Sequence, residues 1–156
     1  YTPAEQVRGA SVLIDGGHTP LAARRLAEAL APDLAGGVHL VAGMLADKDA
    51  AACLRELDFG GVHLVCTTAP AERALPAERL AACVPDPARA EIEPSFERAL
   101  ADALASDAAL VVVAGSLRMA AAAREAFGLL DAVALEEARR TQPLFAGDTY
   151  RARWQG

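Results

Sequence analysis

The segment VLIDGGHTPLAARRLAEAL, Val12 to Leu30, contains the change of pattern that sets the architecture of this chain. It begins with a continuous apolar run typical of a buried β-strand. It ends with apolar side chains at Leu21, Leu26 and Leu30, spaced as on one face of an amphipathic helix. Between these parts lies a polar, glycine-rich break, DGGHTP. A buried strand followed by a helix is the repeating unit of a parallel α/β sheet.

The same alternation of apolar runs and helical patterns continues along the chain. The predicted strands are Ser11–Ile14, Val38–Ala42, Val62–Thr67, Ala90–Ile92 and Ala109–Ala114, and the predicted helices are Leu21–Leu34, Asp49–Leu57, Pro76–Cys83, Ser95–Ala105 and Leu117–Phe127. Strands that are apolar throughout are usually covered on both faces. The sequence therefore predicts an α/β fold, a Rossmann-like three-layer domain with a mostly parallel central sheet of about five to six strands and helices on both faces.

The pattern changes from Gly128 onward. One more helix is predicted over Ala132–Arg140, followed by a tail with turn residues and isolated aromatics. Two interpretations of this tail are open: a strap packed on the domain, or a partly disordered segment.

Composition and charge exclude several classes of protein. A chain of 156 residues with 53% hydrophobic and 23% charged residues fits one globular domain. No apolar run approaches the ~18 residues of a membrane span, and the first residues lack a signal-peptide pattern. The net charge of −6 offers no basic surface for a nucleic acid. Cys53, Cys66 and Cys83 have no CxxC spacing, so we expect apolar fillers in a reducing cytoplasm.

Polar and glycine-rich residues follow four of the predicted strands. In open α/β sheets, ligands bind beyond the carboxyl ends of the strands. The segments at those ends are Asp15–Pro20, Gly43–Asp49, Thr67–Pro70 and Gly115–Ser116. Four strand ends with the same character predict a ligand site more strongly than any one of them.

The residues of the first strand end have two interpretations each. Gly16 and Gly17 either make a tight turn or let a ligand approach the backbone. Asp15 is either a cap for the next helix or a receptor for sugar hydroxyls. His18, taken alone, is most simply an ordinary loop histidine. Pro20 suits the first turn of a helix, whose free N–H groups favour an anion.

Lys48 is the one lysine of the chain, whereas arginine occurs fourteen times. A single lysine between two aspartates indicates either a specific need for a compact ammonium group or a solvated turn. His39 and His63 lie inside predicted strands and are interpreted as structural. No GxGxxG motif and no P-loop GxxxxGK[ST] occurs in the sequence, so the chain has no phosphate cradle of its own.

Taken together, the strand-end motifs resemble those of a known family. DGGHTP, Asp15–Pro20, resembles the DGAHNP motif that opens the C-terminal domain of folylpolyglutamate synthase and dihydrofolate synthase, members of the Mur ligase superfamily. GMLADKD, Gly43–Asp49, is similar to the G-x-x-x-DKD segment of that family. PAERALPAERLA, Pro70–Ala81, is similar to its P-x-x-RAL-x-x-E-x-LA stretch, and VVVAGSL, Val111–Leu117, to its V-x-GSL strand end. The motifs follow the family order and cover about Ser11–Arg124.

The sequence departs from the family at two places. Thr19 replaces an asparagine, as in the HTP version typical of the ligase that adds the third peptide residue in peptidoglycan synthesis. After GSL the family usually has YLVGE, where this chain has RMAAAARE. The alternatives are therefore a peptidoglycan Mur ligase domain and a non-catalytic Rossmann-like binding module.

The resemblance implies part of an ATP-dependent ligase of folate biosynthesis and one-carbon metabolism. In such enzymes ATP phosphorylates a carboxylate of a folate or pteroate, and the amine of L-glutamate attacks the acyl phosphate. A separate N-terminal P-loop domain binds most of the ATP and Mg. On this view residues 1–10 (Tyr1–Ala10) are an interdomain linker, residues 11–128 the Mur ligase C-terminal domain, and residues 129–156 an extension of unknown role. The fragment alone is expected to be inactive.

The resemblance also implies roles for particular residues. Asp15 would bind the ATP ribose, with Gly16, Gly17, His18 and Thr19 beside the nucleotide. Lys48, His18 and Ser116 would be the catalytic residues, with Lys48 and Ser116 holding the incoming glutamate or the forming tetrahedral intermediate. No metal ligand is assigned within this chain.

Overall fold

The computed structural model describes residues 11–128 and, as backbone, residues 149–153. The strands are β1 (Ser11–Asp15), β2 (Val38–Ala42), β3 (Val62–Cys66), β4 (Ala90–Ile92), β5 (Leu110–Ala114) and β6 (Thr149–Arg153). The helices are α1 (Pro20–Leu30), α2 (Ala50–Leu57), α3 (Ala77–Ala81), α4 (Phe96–Ala105) and α5 (Leu117–Ala126). Strands and helices alternate through β5, as the sequence pattern predicts.

The strands form one six-stranded sheet in the order β4-β3-β2-β5-β1-β6. Neighbours from β4 to β1 are parallel, and β6 pairs antiparallel to β1. The register places Ser11 opposite Leu110 and Val38 opposite Val62, so the parallel strands begin at one edge and end at the other. The predicted Rossmann-like α/β fold is confirmed.

Each face of the sheet carries its own apolar core. In β5, Val112 belongs to one core and Val111 and Val113 to the other, because successive side chains point to opposite faces. Helices α1, α2 and α3 contribute Leu30, Leu54 and Leu80 to the first core, and helices α4 and α5 contribute Leu100 and Met119 to the second. The three layers are thus helices, sheet and helices.

The first helix differs from its prediction at both ends. The leucine spacing predicts Leu21 on the buried face, but Leu21 lies in the first turn of α1 and is 58% exposed. Ala23 packs into the core instead, together with Leu26. The α-helix was expected to reach Leu34 but ends at Leu30, and a 3₁₀ helix, Ala31–Gly36, follows. Proline at position 32 lacks the N–H that another α-helical hydrogen bond requires.

The C-terminal residues are described only in part. The predicted helix Ala132–Arg140 lies outside the described residues. Thr149–Arg153 pairs with β1, so this portion of the tail joins the sheet as a strand. Within residues 11–128 and 149–153, no helix combines the length and the apolar character that crossing a membrane requires.

Candidate functional site

The loops that follow four of the strands lie side by side at one edge of the sheet. Strands β3, β2, β5 and β1 are parallel neighbours in that order, so their carboxyl ends share an edge. The loops begin, in the same order, after Cys66, Ala42, Ala114 and Asp15. The residues predicted to form a site are therefore brought to one edge, and their roles in binding stay predictions.

The loop after β1 is held by Asp15. This residue is 7% exposed, and its Oδ1 accepts a hydrogen bond of 2.6 Å from the Gly17 N–H. The helix cap that the sequence left open for Asp15 is supplied by Thr19 instead, whose Oγ1 accepts from the Ala22 N–H at 3.2 Å. A carboxylate and the N-terminus of α1 thus meet at the same edge.

Close packing leaves little room for a side chain at either glycine of this loop. A Cβ on Gly16 would lie 2.7 Å from Leu117 Cδ2, and one on Gly17 would lie 2.8 Å from both Ala22 Cβ and Asp15 Oδ1. Neither glycine has a positive φ. The loop is therefore pressed between α1 and α5, and the role of the glycines toward a ligand stays a prediction.

His18 is half-buried and bonded to its own loop. Its Nδ1 lies 3.3 Å from the Gly16 carbonyl oxygen. Because a carbonyl only accepts, this bond requires the proton on Nδ1 and makes Nε2 an acceptor in the neutral ring. The loop thereby selects one tautomer of His18.

A small cavity lies beneath this loop. Its volume is about 10 Å³, and its lining includes Asp15, Thr19, Met44 and Gly115. Such a volume has room for about one water molecule. A nucleotide bound here would therefore lie on the strand ends rather than inside the cavity.

Lys48 stands at the end of a tight turn after β2. Its N–H donates to the Leu45 carbonyl at 3.2 Å, which closes the turn. The ammonium Nζ lies 3.5 Å from Asp47 Oδ2, and the side chain is 31% exposed. Asp49 has a different task, since its Oδ1 accepts from the Ala52 N–H at 3.0 Å and caps α2. The two aspartates around Lys48 thus have separate roles, and the lysine side chain remains partly exposed to solvent.

The turn of Lys48 is attached to the RAL segment by an antiparallel β-bridge. Leu45 pairs with Ala74. The Ala46 N–H donates to the Arg73 carbonyl at 2.9 Å, and the Leu75 N–H donates at the same distance to the carbonyl of Met44, just before the turn. Two motifs that are separate in the sequence therefore form one unit. The order of the motifs in the sequence does not predict this pairing, because the bridge joins two loops that lie far apart in the chain.

Ser116 caps the helix that follows β5. Its Oγ accepts from the Met119 N–H at 3.1 Å, and the residue is 2% exposed. This bond uses the hydroxyl oxygen as an acceptor and leaves the hydroxyl proton as a donor. The structure thus gives Ser116 a capping role, and its predicted catalytic role requires neighbouring groups to move.

Two glycines allow close packing at the carboxyl ends of β2 and β5. Gly115 has φ +107°, and a Cβ there would lie 2.7 Å from the Gly43 carbonyl oxygen. A Cβ on Gly43 would in turn lie 2.7 Å from Met119 Sδ. Only glycine fits both positions without a shift of the backbone or of the methionine.

The two threonines after β3 have opposite environments. Thr68 Oγ1 accepts from the Ala77 N–H at 3.0 Å and thus tethers the start of α3. Thr67 is fully buried, and its Oγ1 has no hydrogen-bond partner among the described residues. The sequence pattern places both at the strand end but does not separate these roles.

The remaining histidines lie away from the strand-end loops. The rings of His39 and His63 meet edge to face with centroids 4.5 Å apart, and His63 Nε2 lies 2.8 Å from Glu91 Oε2. Burial, followed by the neighbouring His63, lowers the pKa of His39 to about 4. Both histidines line an open cleft of about 660 Å³ near the amino ends of β2 and β3. This cleft is separate from the candidate site.

The three cysteines are free thiols. Burial raises the pKa of Cys53, and it raises the pKa of Cys66 to about 12. Thiols with raised pKa values stay protonated and are poor nucleophiles. Cys53 and Cys66 therefore act as the apolar core residues that the sequence predicts.

The fold and the strand-end edge define the class of this domain. The family model described as Mur ligase, glutamate ligase domain, matches residues 3–117. The chain belongs to the Mur ligase glutamate ligase domain family.

Solved structures narrow this relationship. The chain is 33% identical to Mycobacterium tuberculosis folylpolyglutamate synthase complexed with ADP, with a TM-score of 0.62 over 75% of this chain and 30% of that one. A bifunctional folylpolyglutamate synthase/dihydrofolate synthase with Mn, AMPPNP and L-glutamate bound is 30% identical, with a TM-score of 0.65 over 75% and 29%. Escherichia coli FolC in complex with DHPP and ADP is 28% identical, with a TM-score of 0.58 over 82% and 29%.

The chain spans about 30% of the length of the folylpolyglutamate synthase from M. tuberculosis. A search of curated proteins gave no match.

Proposed function

We propose that this chain is the glutamate-ligating domain of an ATP-dependent carboxylate–amine ligase of the folylpolyglutamate synthase and dihydrofolate synthase type. The observation that carries the proposal is the common location of the family motifs, since all four begin or end at one edge of the sheet. The relatives named above, which bind ADP, AMPPNP or L-glutamate, support it. The substrates would be ATP, L-glutamate and a folate or pteroate.

The reaction would proceed through an acyl phosphate. The carboxylate oxygen of the folate attacks the γ-phosphorus of ATP, and ADP leaves. The amine of glutamate then attacks the acyl carbon, loses a proton and expels inorganic phosphate, which leaves an amide. Lys48 would stabilise the negative charge that develops on the acyl oxygen, because an ammonium fixed beside that atom favours the transition state over the ground state. Ser116 would donate its hydroxyl proton to a substrate oxygen after local movement.

The nucleotide would lie against the loop after β1. The Asp15 carboxylate suits the ribose hydroxyls, and the N-terminus of α1 favours the negative charge of the phosphates. Gly16 and Gly17 bring the backbone close, and His18 and Thr19 complete this part of the site. With the proton on Nδ1, the Nε2 atom of the neutral His18 ring would accept a hydrogen bond from the ligand.

The rest of the enzyme would supply the P-loop. We assign residues 1–10 to an interdomain linker, residues 11–128 to this domain and residues 129–156 to a C-terminal extension, of which Thr149–Arg153 adds strand β6 to the sheet of the domain. An N-terminal P-loop domain of the same cytoplasmic enzyme is the expected partner. Among the described residues, no group of three His, Cys, Asp or Glu side chains is placed to hold a metal ion. As in the family that the motifs resemble, Mg would be bound mainly by the partner domain.

Two observations test the proposal. The coding sequence upstream of Tyr1 should encode a P-loop domain. The full-length protein should then condense L-glutamate with dihydropteroate or tetrahydrofolate in the presence of ATP. Ligation only of peptidoglycan precursors would favour the Mur ligase alternative. No P-loop domain and no ligation of any acid would favour a non-catalytic binding module.

A further inference from the structure

Strand β6 holds the end of β1 that carries Asp15. The pairing of β1 with β5 ends at Ile14, opposite Val113, whereas the pairing of β1 with β6 continues to Asp15, opposite Thr149. By contrast, Ala42 at the end of β2 is paired with neighbouring strands on both sides. At Asp15 the sheet is therefore continued by the C-terminal strand and not by β5.

The end of β5 is held by β2, on the side away from Asp15. Ala114 pairs with Ala42, and its carbonyl accepts a hydrogen bond of 3.1 Å from the Gly43 N–H. The helices that follow β1 and β5 pack into opposite cores, α1 into the first and α5 into the second. Ligands of open α/β sheets bind where neighbouring loops separate in this way. Strand β6 thus supports the β1 side of this opening from outside.

The backbone position of Asp15 also sets the position of the loop that follows it. The Asp15 carboxylate accepts the Gly17 N–H at 2.6 Å, and the residue is 7% exposed. A shift of the backbone at Asp15 would therefore move both the carboxylate and Gly17. A binding group that is fixed before the ligand arrives avoids the free-energy cost of ordering it during binding.

Resting on the proposed function, we propose that strand β6 is a positioning element of the nucleotide site. Its pairing with β1 fixes the backbone at Asp15, so that the carboxylate is in place for the ribose of ATP. The C-terminal extension thereby takes part in nucleotide binding through its main chain. Because main-chain pairing requires only an extended strand, the effect should not depend on the side chains of Thr149–Arg153.

The test replaces Thr149–Arg153 in the full-length enzyme in two ways. The Gly-Ser variant has Gly-Ser-Gly-Ser-Gly in this place, which disfavours a strand. The Thr-Val variant has Thr-Val-Thr-Val-Thr, which favours a strand and is the matched control. By calorimetry, the Kd for ATP should rise about 3- to 10-fold in the Gly-Ser variant and stay within about twofold in the Thr-Val variant. The KM for glutamate should change less than about twofold, because the loops after β2 and β3 lie on the other side of β5.

A double-mutant cycle with Asp15→Asn separates positioning from general support of the fold. If β6 acts through the Asp15 carboxylate, the Gly-Ser replacement should weaken ATP binding by less than about twofold in the Asp15→Asn background. A general loosening of the domain would instead add its full effect to that of Asp15→Asn.

Thermal unfolding shows whether each variant is folded. If the Gly-Ser variant does not fold, Tyr150→Pro and Arg151→Pro take its place in the cycle. Adjacent residues of an edge strand direct their N–H groups to opposite sides, so only one of these prolines removes a hydrogen bond to β1. That variant should lose affinity for ATP, and the other proline variant is its control.

Each outcome has a definite meaning. An unchanged Kd for ATP in the Gly-Ser variant, or equal Kd values for the two proline variants, would overturn the inference while the proposed function stands. An equal loss of affinity in the Thr-Val variant would show that side chains act instead of strand pairing, and full additivity with Asp15→Asn would show a purely structural role. Either result overturns the inference as well. If the wild-type enzyme ligates no glutamate, the proposed function fails first and this inference fails with it.

Discussion

Replacing Lys48 with alanine is expected to remove most ligase activity from the full-length enzyme and to leave its folding almost unchanged. The structural part of this expectation follows from the surroundings of the side chain. The Lys48 side chain is 31% exposed, and its ion pair with Asp47 has a length of 3.5 Å. Partly exposed pairs of this kind stabilise proteins by about 0–1 kcal/mol. The free energy of unfolding should therefore fall by about 1 kcal/mol at most.

The catalytic part is larger. If the ammonium stabilises the charge that develops on the acyl oxygen, its removal should cost about 3–4 kcal/mol in the transition state. This corresponds to a loss of roughly 10²- to 10³-fold in kcat. Lys48→Arg should recover only part of the rate, because a planar guanidinium does not replace a compact ammonium.

The assay is ADP release that depends on glutamate, followed together with thermal unfolding. Asp47→Asn is the matched control, since it breaks the same ion pair and keeps the ammonium. We expect this control to retain activity within a few-fold of the wild type. Wild-type turnover in Lys48→Ala, or an equal loss of rate in Asp47→Asn, would contradict a catalytic role of the ammonium and leave Lys48 as a solvated turn residue.

Further predictions concern the fold, the pH dependence and the nucleotide. Gly115→Ala should destabilise the chain by about 1–3 kcal/mol, because φ there is +107° and the new Cβ meets backbone. Gly60→Ala, with nothing within 4 Å of its Cβ, is the control, and equal midpoints of urea unfolding for the two variants would contradict the prediction. The folded-state pKa of His39 is about 4, below its ordinary value of 6.5, so the unfolded chain binds this proton more readily. The contribution of His39 to the free energy of unfolding should therefore be full above pH 6.5 and fall as the pH drops towards 4. In His39→Leu, the free energy of unfolding measured with urea should depend less on pH in this range. The same pH dependence in the variant and the wild type would speak against a buried neutral imidazole. Asp15→Asn should weaken ATP binding about tenfold, as measured by calorimetry, because a hydrogen bond to a charged group is lost. The stability should change little. An unchanged affinity for ATP would limit Asp15 to bracing its loop.

The layered fold is predictable from the sequence because burial on both faces makes parallel strands apolar throughout. Val111 and Val113 pack on one face and Val112 on the other, so both faces of that strand are buried in apolar cores. The helix after β1 is harder to delimit. Leu21 has the spacing of a core residue but is exposed in the first turn of α1, and spacing alone does not show how far the burial of a helix extends towards its end.

The candidate site is predictable in its location but not in its contacts. Strand order places the polar loops at one edge once the sheet is parallel. The choice of Thr19 rather than Asp15 as helix cap depends on loop geometry, which the residue types alone leave open. The bridge between Leu45 and Ala74 depends on tertiary packing of two distant loops. The pairing of these loops therefore becomes visible only in the structure.

The central claim is that this domain serves an amide ligase that works through an acyl phosphate, and transfer of oxygen tests it most directly. The full-length enzyme would be supplied with ATP, L-glutamate and an acceptor folate or pteroate whose carboxylate is labelled with ¹⁸O. We expect one ¹⁸O atom to appear in the inorganic phosphate for each amide formed, as measured by mass spectrometry. Amide formation with no ¹⁸O in the phosphate, or no amide formed from any folate or pteroate, would contradict it.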